Sequence, residues 1–264
     1  MLKIFSLIFL LIVAVSARPD VQRTGTDGRV IGGEVTDISI IPHQVYIEMD
    51  KGDGWTSSCG GSILNANTIL TAAHCTLGLL PSQVTVVAGS TNRRFGHRLS
   101  VMYVINHENY YDGGFLEGYD IAILKLREHL VYSHYIKPVA LPPPGHQVPS
   151  NITLTVSGWG DMVSGVNSSP ENLQSAHVPH YSNYECDQIY GDVPILNQHI
   201  CAGEMNRRGI CQGDSGGPLT QYAGETRAMI VGVTSYTRMP CASTAPAVFI
   251  RVSYFLDWIR PLMA

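Results

Sequence analysis

From His43 onward the chain is punctuated into short runs rich in Val, Ile, Leu and Tyr. These are HQVYIEM, GGSILN, TILTAA, QVTVVAG, RLSVMYVIN, DIAILKL, ITLTVSGWG, AMIVGVTS and AVFIRV, each bounded by Gly, Pro, Asn or Ser. Runs this short between turn-formers suit strands joined by tight connections, so the spacing predicts an antiparallel all-β fold, either a sandwich or a pair of barrels. Only the end, VSYFLDWIRPLMA, breaks the pattern: Val252, Phe255, Trp258 and Ile259 share one helical face, as in a helix packed on a core. The Pro-rich stretch Leu141–Asn151 reads as a linker crossing between two halves of similar size. With 264 residues, 45% of them hydrophobic, either one large domain or two small all-β halves can bury a core.

The first 17 residues have one early Lys, an apolar run from Ile4 to Val15, and Val15 and Ala17 at the small-residue cleavage positions. That is the form of a secretory signal peptide, and the run is shorter than the roughly 20 residues a membrane span needs. Residues 18–29, RPDVQRTGTDGR, are polar and turn-rich without a pattern that could pack, and read as a short propeptide. No other segment is long and apolar enough to span, so the expectation is a secreted chain without a membrane partner. In an oxidising compartment the six cysteines become a disulfide framework, although their order alone leaves the pairing open. No pair has zinc-finger spacing with a matching His pair, so no metal is expected. Asn151 (NIT) and Asn167 (NSS) are candidate glycosylation sites. A net charge of −4 with 14% charged residues leaves no basic footprint for nucleic acid.

Hydrolysing an amide needs a nucleophile, a base to take its proton, a group to orient that base, and donors for the oxyanion. TAAHC places His74 at a strand end, GYDIAILKL opens a strand with Asp120, and GDSGGP sets Ser215 in a glycine-rich turn. Glycines there let the backbone bend until the amides of Gly213 and Ser215 converge on one point.

RVIGG, CGGSIL, TAAHC, DIAILKL, SGWG, CAG, CQGDSGGP, TSY and DWI follow one another in the order of the chymotrypsin and trypsin family of secreted serine proteases, which the chain resembles from Val30 to its end. The resemblance implies two packed antiparallel six-stranded β-barrels with a C-terminal α-helix. It also implies Ser215 as nucleophile, His74 as general base then acid, and Asp120 as the group that orients it. Disulfides Cys59–Cys75, Cys186–Cys201 and Cys211–Cys241 follow from it. So does activation by cleavage after Arg29, the freed Val30 ammonium turning inward to pair with Asp214.

Carried onto the specificity pocket, the resemblance puts Gly209 at the floor, followed by Ile210, with Gln212 at the rim. Ser235, Tyr236 and Thr237 pair with substrate backbone, and Ala247 faces Thr237. Trypsin-like members have an acid at the floor to meet Lys or Arg, and here there is none. Thr237 and Ala247 shorten the slot, which gives an elastase-like preference for small or medium aliphatic residues, with a chymotrypsin-like preference for Leu, Met or Phe as the alternative. Tyr236 replaces the family's Trp, and Ile210 is bulkier than its usual Ser. Such a pocket would not cut Arg29 well, so a separate trypsin-like protease is expected as activator. AGSTNRRFGHRLS, at the place of the family's calcium loop, has no carboxylate, so activity should need neither calcium nor zinc, and no cofactor is expected. The expected partners are protein or peptide substrates and protein protease inhibitors, met by a monomer.

Overall fold

In the computed structural model, the structure describes residues 30–264 except 53, 55, 151 and 224–226. The signal peptide (1–17), the propeptide (18–29) with Arg29, and Asn151 lie outside the described residues.

The first barrel is closed by β2 (Gln44–Asp50), β3 (Thr56–Asn65), β4 (Thr68–Thr71), β5 (Val84–Ala88), β6 (His97–Asn106) and β7 (Ala122–Leu126), in the order β2-β3-β4-β7-β6-β5 with β5 returning to β2. The second is closed by β8 (Thr153–Gly158), β9 (Gln174–Tyr181), β10 (His199–Ala202), β11 (Pro218–Ala223), β12 (Arg227–Tyr236) and β13 (Ala247–Arg251), in the order β8-β9-β10-β13-β12-β11 with β11 returning to β8. All pairings between these strands are antiparallel, and β1 (Glu34–Val35) adds a short edge to β9. Closure removes the open edges that a sheet of this size would otherwise expose. The sequence runs at 43–49, 60–65, 68–73, 83–89, 98–106, 120–126, 152–160, 228–235 and 247–252 each fall on a strand, and the described part of the linker, 141–150, falls between β7 and β8.

Alternation fills each interior. Val45, Ile47, Ile63, Ile69, Val86 and Ile123 are buried in the first barrel, and Leu154, Val156, Val178, Ile200, Leu219 and Phe249 in the second. Two short helices ride on the barrels: α1 (Ala73–Thr76) after β4, and α2 (Asn183–Tyr190) between β9 and β10.

The C-terminal segment is a 3₁₀ turn (Val252–Tyr254) running into α3 (Leu256–Leu262). Val252, Phe255 and Ile259 face inward as the sequence pattern requires, and Trp258 packs half-buried beside them. They join the first barrel's cluster although α3 leaves the second barrel. Lys125 of β7 donates to the carbonyls of Leu262 and Ala264, each at 3.0 Å, placing a cation where helical carbonyls are left without intrahelical partners. The three disulfides form as the family resemblance implies, and no cysteine is free. Among the described residues no helix is long and apolar enough to cross a membrane.

Candidate active site

The single turn of α1 carries His74 to the seam between the barrels, and Cys59–Cys75 ties that turn to β3. Asp120, just before β7, is fully buried. Its Oδ1 accepts the His74 backbone N–H at 2.8 Å, and its Oδ2 accepts His74 Nδ1 at 2.7 Å. Oδ2 also accepts the Ser235 hydroxyl at 2.6 Å. Three donors offset the cost of burying a carboxylate. They also assign the tautomer: a proton on Nδ1 facing a carboxylate leaves the Nε2 lone pair free to act as base. The ring edge stays reachable, since the His74 side chain is 28% exposed.

Ser235 comes from the second barrel, where Thr234 pairs with Phe249 and Tyr236 with Val248. The extra residue between those pairs makes a bulge at Ser235, the kind of local bend that re-aims a side chain. Ser215 reaches the same seam through its backbone. Its carbonyl accepts the Gly60 N–H at 2.7 Å, and the Gly216 N–H donates to Thr234 at 2.8 Å. Gly216 has φ +74°, and a Cβ there would stand 3.0 Å from the nitrogen of Ala72, two residues before His74. Only glycine lets the serine turn close so tightly on the histidine turn. Ser215 Oγ makes no hydrogen bond to His74 in this structure. Such bonds are commonly long until substrate is in place.

The carbonyl of Gln212 accepts the Asp161 N–H at 2.6 Å. In a trans peptide the N–H points opposite to the C=O, so this bond turns the Gly213 N–H away from Asp161. Gly213 has φ +92°. Neither its N–H nor that of Ser215 is spent on another backbone acceptor among the described residues. Two adjacent unspent donors are what a developing oxyanion needs.

Asp214 is buried, and its carboxylate accepts Gly160 N–H at 2.8 Å and Cys211 N–H at 3.0 Å. Burial outweighs these bonds and pushes its pKa up to about 6. A Cβ on Gly160 would come within 2.5 Å of Oδ2, so the second glycine of SGWG is the space this carboxylate occupies. Val30 is fully buried in the second barrel's cluster with Ile210, and Ile31 bridges to Gly209. The chain's first described residues therefore lie against the loop leading to the serine.

Gly209 is buried, and a Cβ there would meet the Ala242 methyl at 3.4 Å. Ile210 packs inward at 4% exposure, and Ala247 opens β13 at 4%. The register Tyr236↔Val248 sets Thr237 opposite Ala247 one step on. The Tyr236 ring stands edge-on to Tyr190 and His199. Gln212 is exposed and its amide meets Met239 Sδ at 3.4 Å. Asn167 is exposed on the loop between β8 and β9. Ligand-type atoms of Cys59, His74 and Cys75 lie within 4.8 Å of one another, but both sulfurs are held in a disulfide and neither is a thiolate.

Sequence reasoning did not pick out Asp161, Gly160 or Gly216. The motifs SGWG and GDSGGP contained two of them, while Asp161 works through a backbone N–H that any residue but proline would supply.

The trypsin family's sequence profile matches residues 30–259. Similar proteins include trypsin zeta of Drosophila melanogaster, 36% identical over 260 residues and covering 92% of this chain and 89% of that protein. Trypsin alpha of Drosophila erecta is 35% identical over 263 residues, covering 98% and 97%. Trypsin-1 of Astacus astacus is 35% identical over 240 residues, covering 88% and 98%.

Proposed function

The chain belongs to the trypsin family and is a serine endopeptidase, and from that premise we propose a secreted enzyme, made as a zymogen, that cuts after small or medium aliphatic residues. Ser215 Oγ attacks the scissile carbonyl while His74 Nε2 takes its proton. The oxyanion is held by the N–H groups of Gly213 and Ser215. His74 then gives the proton to the leaving amine, and water repeats the sequence on the acyl-enzyme. Asp120 keeps the imidazole in the tautomer this needs and stabilises its charged form.

The observation that carries the pocket reading is the buried Gly209 against the Ala242 methyl, with no carboxylate on Gly209, Ile210, Ala242 or Ala247. A Lys or Arg side chain there would be desolvated without a partner, at a cost of several kcal/mol. The name trypsin belongs to the relatives; Gly209 is the residue that argues for a different side-chain preference here.

Activation by a separate trypsin-like protease would free the Val30 amine to pair with Asp214. Changing Arg29 to Gln should leave a foldable precursor that such a protease does not activate; full activity from that uncleaved chain would refute the zymogen. For the pocket, peptides differing only in the residue before the cut bond should rank Ala and Val at least tenfold above Arg in kcat/KM. A ranking headed by Leu, Met and Phe would favour the chymotrypsin-like alternative, and one headed by Arg would overturn both.

A further inference from the structure

Next to the Gly213 donor lies a polar cleft of about 400 Å³ lined by residues that include Tyr46, Ser57, Ser58, Arg93 and Asn167. A Cβ on Gly213 would stand 3.7 Å from the Ser58 hydroxyl, so the cleft begins where the oxyanion site ends. If the acyl half of a substrate runs along Ser235–Thr237, the leaving half departs over Ser58.

Arg93 is the unneutralised charge in this cleft. One guanidinium N–H donates to the Tyr46 hydroxyl at 3.0 Å, the guanidinium carbon sits 5.4 Å from the Tyr46 ring centre, and no carboxylate is paired with it among the described residues. The other charged lining residue, Glu48, is engaged by both terminal nitrogens of Arg98. Arg94 pairs with Glu171 at 2.8 Å on the exposed rim. Arg93 is also held in place: its backbone N–H donates to Glu171 at 2.9 Å, and Tyr46 is buried edge-on against Trp159 with ring centres 5.7 Å apart. The Ser57 hydroxyl, also on this cleft, is buried with no protein partner. A fixed guanidinium fork and an unspent hydroxyl on one cleft match a carboxylate.

We propose that Arg93, with Ser57, forms a leaving-group subsite that selects a carboxylate two or three residues after the cut bond. At about 3.3 Å per extended residue, the cleft lies within reach of that stretch of substrate. The carboxylate is either an acidic side chain or the C-terminus of a short product. The inference rests on the peptidase reading above.

Acyl transfer tests it. In enzyme freed of any glycan at Asn167, the acyl-enzyme formed from an ester substrate is offered pairs of amine nucleophiles. The amine attacks the acyl carbonyl, the ester bond to Ser215 Oγ breaks as the amide forms, and the amine's proton returns to Ser215 by way of His74. Ala-Glu-NH₂ should outcompete Ala-Gln-NH₂ about tenfold if side-chain carboxylates are read. Ala-Ala-OH should outcompete Ala-Ala-NH₂ if the C-terminus is. The readout is a ratio within one acyl-enzyme, so changes in overall activity cancel. Arg93→Gln should bring the preferred ratio to about one, Arg93→Lys should keep part of it, and raising salt should shrink it. Ratios near one in the parent enzyme, or a preference that survives Arg93→Gln, would overturn the subsite. Failure to form any acyl-enzyme would instead refute the underlying peptidase reading.

Discussion

Asp214 is the buried group through which pH would bear on the proposed activation. Its pKa near 6 in the closed loop, against about 3.8 for a free aspartate, means that the proton is favoured by folding. Below about pH 4 the carboxyl is protonated either way and burial carries no ionic penalty. As pH rises through 6 the closed loop of the uncleaved chain must hold an unpaired anion, at a limiting cost of about 3 kcal/mol. A Val30 ammonium would offset that cost. The melting temperature of cleaved protein should therefore exceed that of the precursor by more at pH 7 than at pH 5, read by calorimetry on both forms. His43 is buried and neutral, its pKa pushed down to about 4 by desolvation, so it destabilises both forms alike as pH falls below 6.5 and cancels in the comparison. An equal gap at both pH values would argue against the Asp214 pairing.

His74, Asp120 and Ser215 stand out because the chemistry requires those side chains in characteristic motifs. Gly160 matters for what it lacks, and that shows only once Asp214 is seen in its place. Gly160→Ala should displace Asp214 and the oxyanion loop, lowering kcat by on the order of a hundredfold while leaving binding of a substrate-like aldehyde-free peptide inhibitor much less affected.

At the scale of elements, strands rich in β-branched residues were readable and β1, β9, β10 and β11 were not. β9, QSAHVPHY, contains a Pro, and two of the four residues on its inward face, Gln174, Ala176, Val178 and His180, are polar, which blurs the alternation a strand would show. β10, HICA, is too short to show alternation, and β11 opens with Pro218. These strands are specified by their neighbours in the closed barrel more than by their own composition. Helix α2 was not read either, although Ser182 and Glu185 form a capping box that marks its start. Its disulfide, Cys186–Cys201, ties it to β10 across 15 residues. Replacing both cysteines with Ala should lower stability by about 3 kcal/mol and Tm by on the order of 10 °C. A thermal melt unchanged within a degree would show that the helix is held by packing alone.

For the whole molecule, the site exists only where the barrels meet. His74 and Asp120 come from the first, Ser215 and Ser235 from the second, and the Ser235–Asp120 bond spans the seam. Removing that donor with Ser235→Ala leaves a buried carboxylate one partner short and should cost about tenfold in kcat/KM. The fold class was readable from the strand pattern, but that pattern left sandwich and barrels open. The C-terminal helix was in the periodicity of Val252, Phe255, Trp258 and Ile259, but the closed barrels came from the family resemblance, and no pattern in one half shows how the other will dock.

We propose that Ser215 becomes a nucleophile in a seam completed when the chain is cut after Arg29. Organophosphonate labelling, mapped by mass spectrometry before and after that cut, decides this. A label on Ser215 should appear only once Val30 is the amino terminus; equal labelling of the uncleaved chain, or none after cleavage, would overturn the proposal.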